Sequence, residues 1–310
     1  MKYLPTHRTP ELSSFCIAFC KFKDRYHRSF FVFILIFCYV GDILVLIEAI
    51  YKGIFIMILA IDIGNTNIVL GGFVDDNLEF VARIATNPSK TEDEYATKIR
   101  SILALHDVDK SAVKGAIVSS VVPPLNSVIK KAIRLVYGIE PIMVQPGIKT
   151  GIGIHCDNPA SVGADLICAC VAAHHLYGSP SLVIDMGTAT KIMLIDKTGT
   201  FCGVSIIPGV NIGLKALASG TAQLPQISLE APKSVIGKNT VDCMKSGVVF
   251  GNASLIDGMI DRFCEEIGEE LPVYGTGGLS STILCHCKHE ITLDENMVLR
   301  GLNVLYKKNS

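Results

Sequence analysis

Two short polar segments, each enclosed by apolar runs, contain the residue types best suited to chemistry. The first is DIGNTN at residues 62–67, within the stretch 57–74, and the second is DMGTAT at residues 185–190, within the stretch 181–196. Each segment predicts a strand, a tight glycine turn and a second strand. Such a turn exposes backbone N–H groups and small polar side chains around one carboxylate, and this arrangement suits a phosphate chain and its metal ion.

The parts of each turn have distinct physical roles. A carboxylate at the end of a strand, Asp62 or Asp185, can hold a hydrated cation against phosphate oxygens. Gly64 and Gly187 allow the backbone to approach the ligand closely. One such turn alone is better explained as an ordinary Asx-type hairpin turn, but two copies favour phosphate binding by duplicated halves that face a shared cleft. The uncharged donors of the two turns are Asn65, Thr66, Asn67, Thr188 and Thr190.

Two further segments could contribute to the same chemistry. Residues 274–278 (YGTGG) form a third glycine turn between a predicted strand and a helix. A nucleotide can approach a helix N-terminus at such a turn, although an ordinary strand-helix turn explains it about equally well. Asp165 lies in the first turn of another predicted helix, where acidic residues are common because they complement the helix dipole. The alternative is a carboxylate that orients and deprotonates an attacking hydroxyl.

The composition excludes several classes of function. The chain has 310 residues, a net charge of −1, no Trp and scattered basic residues, so we do not expect a nucleic-acid partner. Its 11 cysteines, in a large chain without a cleavable secretory signal, predict reduced thiols in a cytoplasmic protein. Cys285-His286-Cys287 has no second Cys/His pair at zinc-finger spacing, so zinc is not expected there.

The order of the predicted elements repeats along the chain. After residue 57 the patterns predict strand, strand, strand, helix, strand, helix, strand, and a capping box of Thr91 and Glu94 opens the first helix. A Gly-rich loop and a helix of small residues follow, and the strand-first order then starts again. We therefore predict an α/β protein with two domains, residues 57–178 and 179–310, around an interdomain cleft.

Residues 1–56 differ from the rest of the chain. A basic segment precedes an apolar run, but that run, residues 30–41, is too short to span a bilayer, and Asp42 and Glu48 would lie in or beside the hydrocarbon. The positive-inside rule would also place the following domains outside the cell, away from ATP. We predict that translation begins at Met57 and that residues 1–56 are upstream sequence read through. The intact mass of the native protein tests this prediction.

Both turns, the Gly163-Ala164-Asp165 segment and the GTGG segment together resemble the type III pantothenate kinases, members of the acetate and sugar kinase, Hsp70 and actin superfamily. The resemblance covers essentially all of residues 57–310. It implies two similar ribonuclease H-like (actin-like ATPase) domains and phosphoryl transfer from ATP to pantothenate. It also implies Mg²⁺ with the ATP, K⁺ or NH₄⁺ as a second cation, and a cytoplasmic homodimer with no nucleic-acid or membrane partner.

The resemblance assigns roles to individual positions. Asp165 is the implied proton acceptor, Asp185 the implied ligand of the monovalent cation, and Asp62 an implied contact to Mg²⁺ through the phosphates. The implied ATP contacts are Asp62, Gly64, Asn65, Thr66, Asn67, Thr188, Gly277 and Gly278. The implied pantothenate contacts are Cys156, Gly163, Ala164, Asp165, Leu166 and Thr221.

Two positions depart from the family pattern. Leu166 stands where the family usually has Arg, and Cys156 stands where an aromatic residue is common. We expect both to border the pantothenate site, so the acceptor pocket is expected to be altered. Three alternatives stay open: another small-molecule kinase of the same superfamily, a non-catalytic nucleotide-binding regulator, or a membrane-tethered protein if the leader is translated.

Overall fold

The structure is a computed structural model that describes residues 56–310. The predictions for the segment before Met57 lie outside these residues. Within residues 56–310, no helix combines the length and the apolar character needed to cross a bilayer.

The first half of the described chain forms a five-stranded sheet. Its strands are β1 (Met57–Ile63), β2 (Asn67–Val74), β3 (Asn77–Ala85), β4 (Val113–Ser120) and β5 (Ile142–Met143), and their order is β3-β2-β1-β4-β5. β1, β2 and β3 form an antiparallel meander, whereas β4 is parallel to β1 and β5 is parallel to β4. β1 therefore lies at the centre, and its C-terminal end carries Asp62 and the first turn.

Two helices cover one face of this sheet. They are α1 (Glu92–Leu105) and α2 (Pro123–Tyr137). The predicted capping box of Thr91 and Glu94 is confirmed at the start of α1. α2 begins with Pro at its first position and ends at Gly138, whose φ of 70° lies in the left-handed region. Side chains of both helices pack with the buried residues of β1 in one core cluster.

The second half repeats the same strand order. The strands are β6 (Gly153–Ile154), β7 (Ser181–Met186), β8 (Ala189–Ile195), β9 (Thr200–Pro208), β10 (Val273–Thr276) and β11 (Thr292–Leu293), in the order β11-β10-β7-β8-β9-β6. From β9 to β11 this order and its strand directions match those of the first sheet from β3 to β5. β7 is thus the counterpart of β1, and the predicted α/β fold of two similar halves is confirmed.

Five helices belong to this second part of the chain. They are α3 (Ala164–Tyr177), α4 (Val210–Ser219), α5 (Thr240–Ile267), α6 (Ser280–Ile283) and α7 (Met297–Asn309). α5 ends at Gly268, which adopts a φ of 82° in the left-handed region. α4 and α5 pack on one face of the second sheet.

Helices α3 and α7 lie between the two sheets. Ile167 and Leu302 pack against the first sheet, while Ala169 and Cys170 pack against the second. Every residue from 166 to 173 is buried, as expected for a helix covered on all sides. The two helices approach so closely that a Cβ on Gly301 would lie 1.9 Å from the carbonyl oxygen of Cys168. α7 therefore carries the end of the chain back to the first sheet, and the domain boundary at residue 178 stays a prediction.

Candidate active site

The two glycine turns meet. The hydroxyl oxygens of Thr66 and Thr188 lie 3.0 Å apart, although the two residues are 122 positions apart in the chain. Each turn follows the central strand of its sheet, β1 or β7, so the convergence is a consequence of the duplicated topology. The two turns therefore converge, as the prediction of duplicated halves with one shared site requires.

Hydrogen bonds to the backbone hold the first turn in shape. The N–H of Gly64 donates to the carbonyl of Asn67 at 3.0 Å, and the Thr86 hydroxyl donates to the carbonyl of Gly64 at 2.6 Å. The N–H of Thr86 also donates to the carbonyl of Thr66 at 3.0 Å. Thr86, directly after β3, thus satisfies these carbonyls, and residues 65–67 are exposed.

Two glycines outside the second turn support it by close contact. A Cβ on Gly209 would lie 2.1 Å from the carbonyl oxygen of Thr188. A Cβ on Gly277 would lie 2.6 Å from the backbone of Met186, and Gly277 also has a φ of 96°, which side chains rarely adopt. The predicted third glycine turn is thus brought against the second, while the Cβ position of Gly278 faces open space.

Three carboxylates and one ammonium group lie beside the turns. The Nζ atom of Lys191 is 2.7 Å from Oδ2 of Asp165 and 2.6 Å from Oδ2 of Asp185. Asp165 reaches this position from the first turn of α3, and the N–H of Leu166 donates to its other oxygen, Oδ1, at 2.9 Å. Asp62 is close enough to feel the charges of both carboxylates.

The electrostatics of these groups reflect burial and mutual charge. Burial, followed by the negative charge of Asp165, raises the pKa of Asp62 to about 7. Burial also raises the pKa of Asp185, and the charge of Lys191 partly offsets this effect. For Lys191, burial alone would lower the pKa, but the two carboxylates outweigh it and raise the pKa above its ordinary value. Lys191 is therefore a permanent cation in this site.

The two predicted cation ligands differ in their surroundings. No described Lys, Arg or His forms a salt bridge with Asp62, so its carboxylate is available to a hydrated divalent ion on ATP phosphates. Asp185 is already paired with Lys191. The residues present thus fit a divalent ion at Asp62, and they do not fit a monovalent ion at Asp185.

The predicted pantothenate contacts are spread around the start of α3 and the end of α4. Leu166 is only 8% exposed, and its side chain belongs to the core between α3 and the second sheet. Its backbone N–H is the group that contacts Asp165. Cys156 is half-buried next to β6, and Thr221 is exposed, with its hydroxyl donating to the carbonyl of Leu217 at 3.0 Å. The acceptor roles of these residues stay predictions.

A cavity of about 530 Å³ adjoins the second turn. It lies between α4 and α5, and Gly209, which touches Thr188, forms part of its wall. Leucine, valine and glycine residues make up most of its lining, and Thr240 and Asn252 add polar groups. The cavity can therefore take an apolar part of a small ligand whose polar end reaches the turns.

Sequence reasoning did not identify Lys191, which pairs with two carboxylates, or Thr240, which lines the cavity. β7 and β8 form a tight hairpin, and their register places Lys191 directly opposite Asp185. The equivalent partner of Asp62 is Val69, so the two copies differ at this position. Pairing the residues on either side of the predicted turn would have placed Lys191 opposite Asp185. Nothing local distinguishes Thr240 from an ordinary residue at the start of a helix.

Comparison with known proteins adds independent evidence. A profile of type III pantothenate kinases matches residues 58–262. A type III pantothenate kinase from Halalkalibacterium halodurans is 41% identical over 253 residues, which cover 82% of this chain and 100% of the relative. A Campylobacter jejuni protein described as a Baf family transcriptional activator has a similar crystal structure, with a TM-score of 0.51 and 20% identity over 81% of this chain and 98% of its own. That structural likeness shows a shared fold.

Proposed function

The chain belongs to the type III pantothenate kinase family, and from this premise we propose how its residues perform the reaction. It is an ATP-dependent kinase that transfers the γ-phosphoryl group of ATP to pantothenate, giving 4′-phosphopantothenate in the first step of coenzyme A biosynthesis. The contact between Thr66 and Thr188 is the observation that carries the residue assignment, because it brings both turns within reach of one triphosphate.

The two turns are proposed to hold the phosphates of ATP. Backbone N–H groups and the hydroxyls of Thr66 and Thr188 supply uncharged donors, and Gly277 and Gly278 border the nucleotide. As a kinase, the protein uses ATP with a divalent cation. We assign that ion as Mg²⁺ and its carboxylate as Asp62, which no described basic side chain neutralises.

Asp165 is proposed to orient the acceptor. Its carboxylate accepts a hydrogen bond from the primary hydroxyl of pantothenate, whose oxygen attacks the γ-phosphorus while the bond to the β–γ bridging oxygen breaks and ADP leaves. The hydroxyl proton passes to the Asp165 carboxylate. Because Lys191 and the N–H of Leu166 fix the two oxygens of Asp165, placement and charge compensation contribute most of the rate enhancement.

A homodimer in the cytoplasm is the proposed assembly. Six large apolar side chains between residues 206 and 241 are at least 40% exposed, which is typical of a surface that a partner covers. They are Ile206, Ile212, Leu217, Val235, Ile236 and Val241. Light scattering should give the mass of two chains, and a single-chain mass at micromolar concentration would refute the dimer. The cytoplasmic location rests on the supply of ATP there.

One assay separates the proposal from its alternatives. Purified protein is mixed with ATP, Mg²⁺ and pantothenate, and the release of ADP and phosphopantothenate is followed. We expect ADP release that depends on pantothenate. ADP release only with other alcohols would indicate a different small-molecule kinase, and ATP binding without any turnover would indicate a regulator.

A further inference from the structure

We propose that the ammonium group of Lys191 takes the place of the monovalent cation beside Asp185, so that this kinase works without K⁺ or NH₄⁺. The inference rests on the proposed function for its activity readout. It concerns a positioning residue, because Lys191 contacts Asp165 and Asp185, the carboxylates proposed to handle the substrates.

The geometry of the group is that of a bound cation. The Nζ atom lies between two carboxylate oxygens at 2.7 and 2.6 Å, and the three side chains are only 16%, 15% and 12% exposed. A lysine ammonium is a compact point charge with three donors, and its net charge equals that of a potassium or ammonium ion. The position between Asp165 and Asp185 is therefore already filled by a positive charge.

A second monovalent cation would be unfavourable at this place. It would have to approach Asp185 against the charge of Lys191, or displace an ion pair that is largely shielded from water. Asp62 offers another carboxylate, but the divalent ion that accompanies ATP competes for it. The three carboxylates and Lys191 leave a net negative site that suits a divalent ion, without any need for potassium.

The backbone fixes Lys191 in this position. It lies on β8 directly opposite Asp185 on β7, so the pair is set by strand register within a tight hairpin. The corresponding residue of the first hairpin is Val69, which cannot play this part. Of the two duplicated hairpins, the second therefore carries the lysine, and its charge stays beside Asp185 whatever salt is present.

The first test is the dependence of turnover on the cation. Pantothenate-dependent ADP release is measured in KCl, NH₄Cl and tetramethylammonium chloride at equal ionic strength. We expect rates that agree within about twofold, because the three salts screen charges to the same extent and the enzyme needs no specific monovalent cation. Rates about tenfold or more higher in KCl or NH₄Cl would overturn the proposal.

The second test removes the tethered charge. Lys191→Thr should lower turnover about a hundredfold in tetramethylammonium chloride, and NH₄Cl or KCl should restore part of it by entering the space left by the side chain. The matched control is Lys197→Thr in the turn that follows the same strand, an exposed residue whose loss should change nothing. A Lys191→Thr enzyme with normal turnover in tetramethylammonium chloride would overturn the proposal.

A third measurement does not depend on activity. The melting temperature of the wild-type protein should be the same in KCl and tetramethylammonium chloride, whereas KCl should raise that of Lys191→Thr. A wild-type protein specifically stabilised by KCl would contradict the proposal, even if Lys191→Thr failed to fold. Absence of pantothenate-dependent turnover in every salt would instead refute the proposed function, and the melting series would still decide the role of Lys191.

Discussion

At the scale of single residues, Asp165 is the group whose removal should affect chemistry most selectively. Asp165→Asn keeps the size of the side chain but removes the negative charge that accepts the hydroxyl proton. We expect turnover to fall about a hundredfold while the dissociation constant for ATP stays nearly unchanged. Steady-state kinetics and ATP titration measure the two quantities.

The control for this variant is Asp107→Asn. Asp107 is exposed in a turn with a φ of 55°, a conformation that asparagine also tolerates. This control should leave both quantities unchanged. Near-normal turnover in Asp165→Asn would remove Asp165 from the mechanism.

The raised pKa of Asp62 predicts a pH-dependent stability of the metal-free protein. Asp62 has a pKa of about 7 in the folded protein, whereas in the unfolded chain it has its ordinary pKa of 3.8. The native state therefore binds more protons across this window, and the free energy of unfolding falls as the pH rises through it. We expect the free energy of unfolding to fall by about 2 kcal/mol between pH 5 and pH 8. The pKa difference alone would give a larger fall, but Asp62 is partly exposed, so solvent screens part of the effect.

The Asp62→Asn variant isolates this contribution. Urea unfolding in EDTA should show that the variant gains stability relative to the wild type as the pH rises from 5 to 8, because asparagine does not ionise. A stability difference that stays constant across this range would show that burial does not perturb Asp62.

At the scale of elements, substitutions of the adjacent glycines Gly277 and Gly278 should have opposite effects on stability. Gly277→Ala forces a side chain into a φ of 96° and within 2.6 Å of the backbone of Met186, so the second turn must move. We expect a loss of about 2 kcal/mol or more in the free energy of unfolding, together with weaker ATP binding. Gly278→Ala is the matched control, because its Cβ position faces open space, and it should leave the stability unchanged. Equal effects of the two substitutions would contradict the packing of the third turn against the second.

Elements with strong local patterns could be predicted from the sequence. The two Asp-Gly turns and the capping box of Thr91 follow from short-range chemistry, and each lies where it was expected. The ion pair of Lys191 was missed because it depends on register across a hairpin. The burial of Leu166 was missed for another reason: α3 lies between two sheets, so its residues 166–173 are buried although Asp165 in its first turn is not.

At the scale of the whole molecule, the duplicated strand order explains why distant segments form one site. Each sheet places a carboxylate at the end of its central strand, and the helices α3 and α7 hold the two sheets together. The return of α7 to the first sheet could not be read from local patterns, since it depends on packing between both halves. The site is therefore a property of the pair of halves, and neither sheet contains it alone.

The most direct test of this account is calorimetric titration of ATP with Mg²⁺ into the wild-type protein, Thr66→Val and Thr188→Val. Each variant removes one hydroxyl from one turn while keeping the size of the side chain. The account predicts one ATP per chain and weaker binding in both variants, because both turns contact the same triphosphate. Two independent ATP sites per chain, or a variant of either turn that binds ATP as tightly as the wild type, would contradict it.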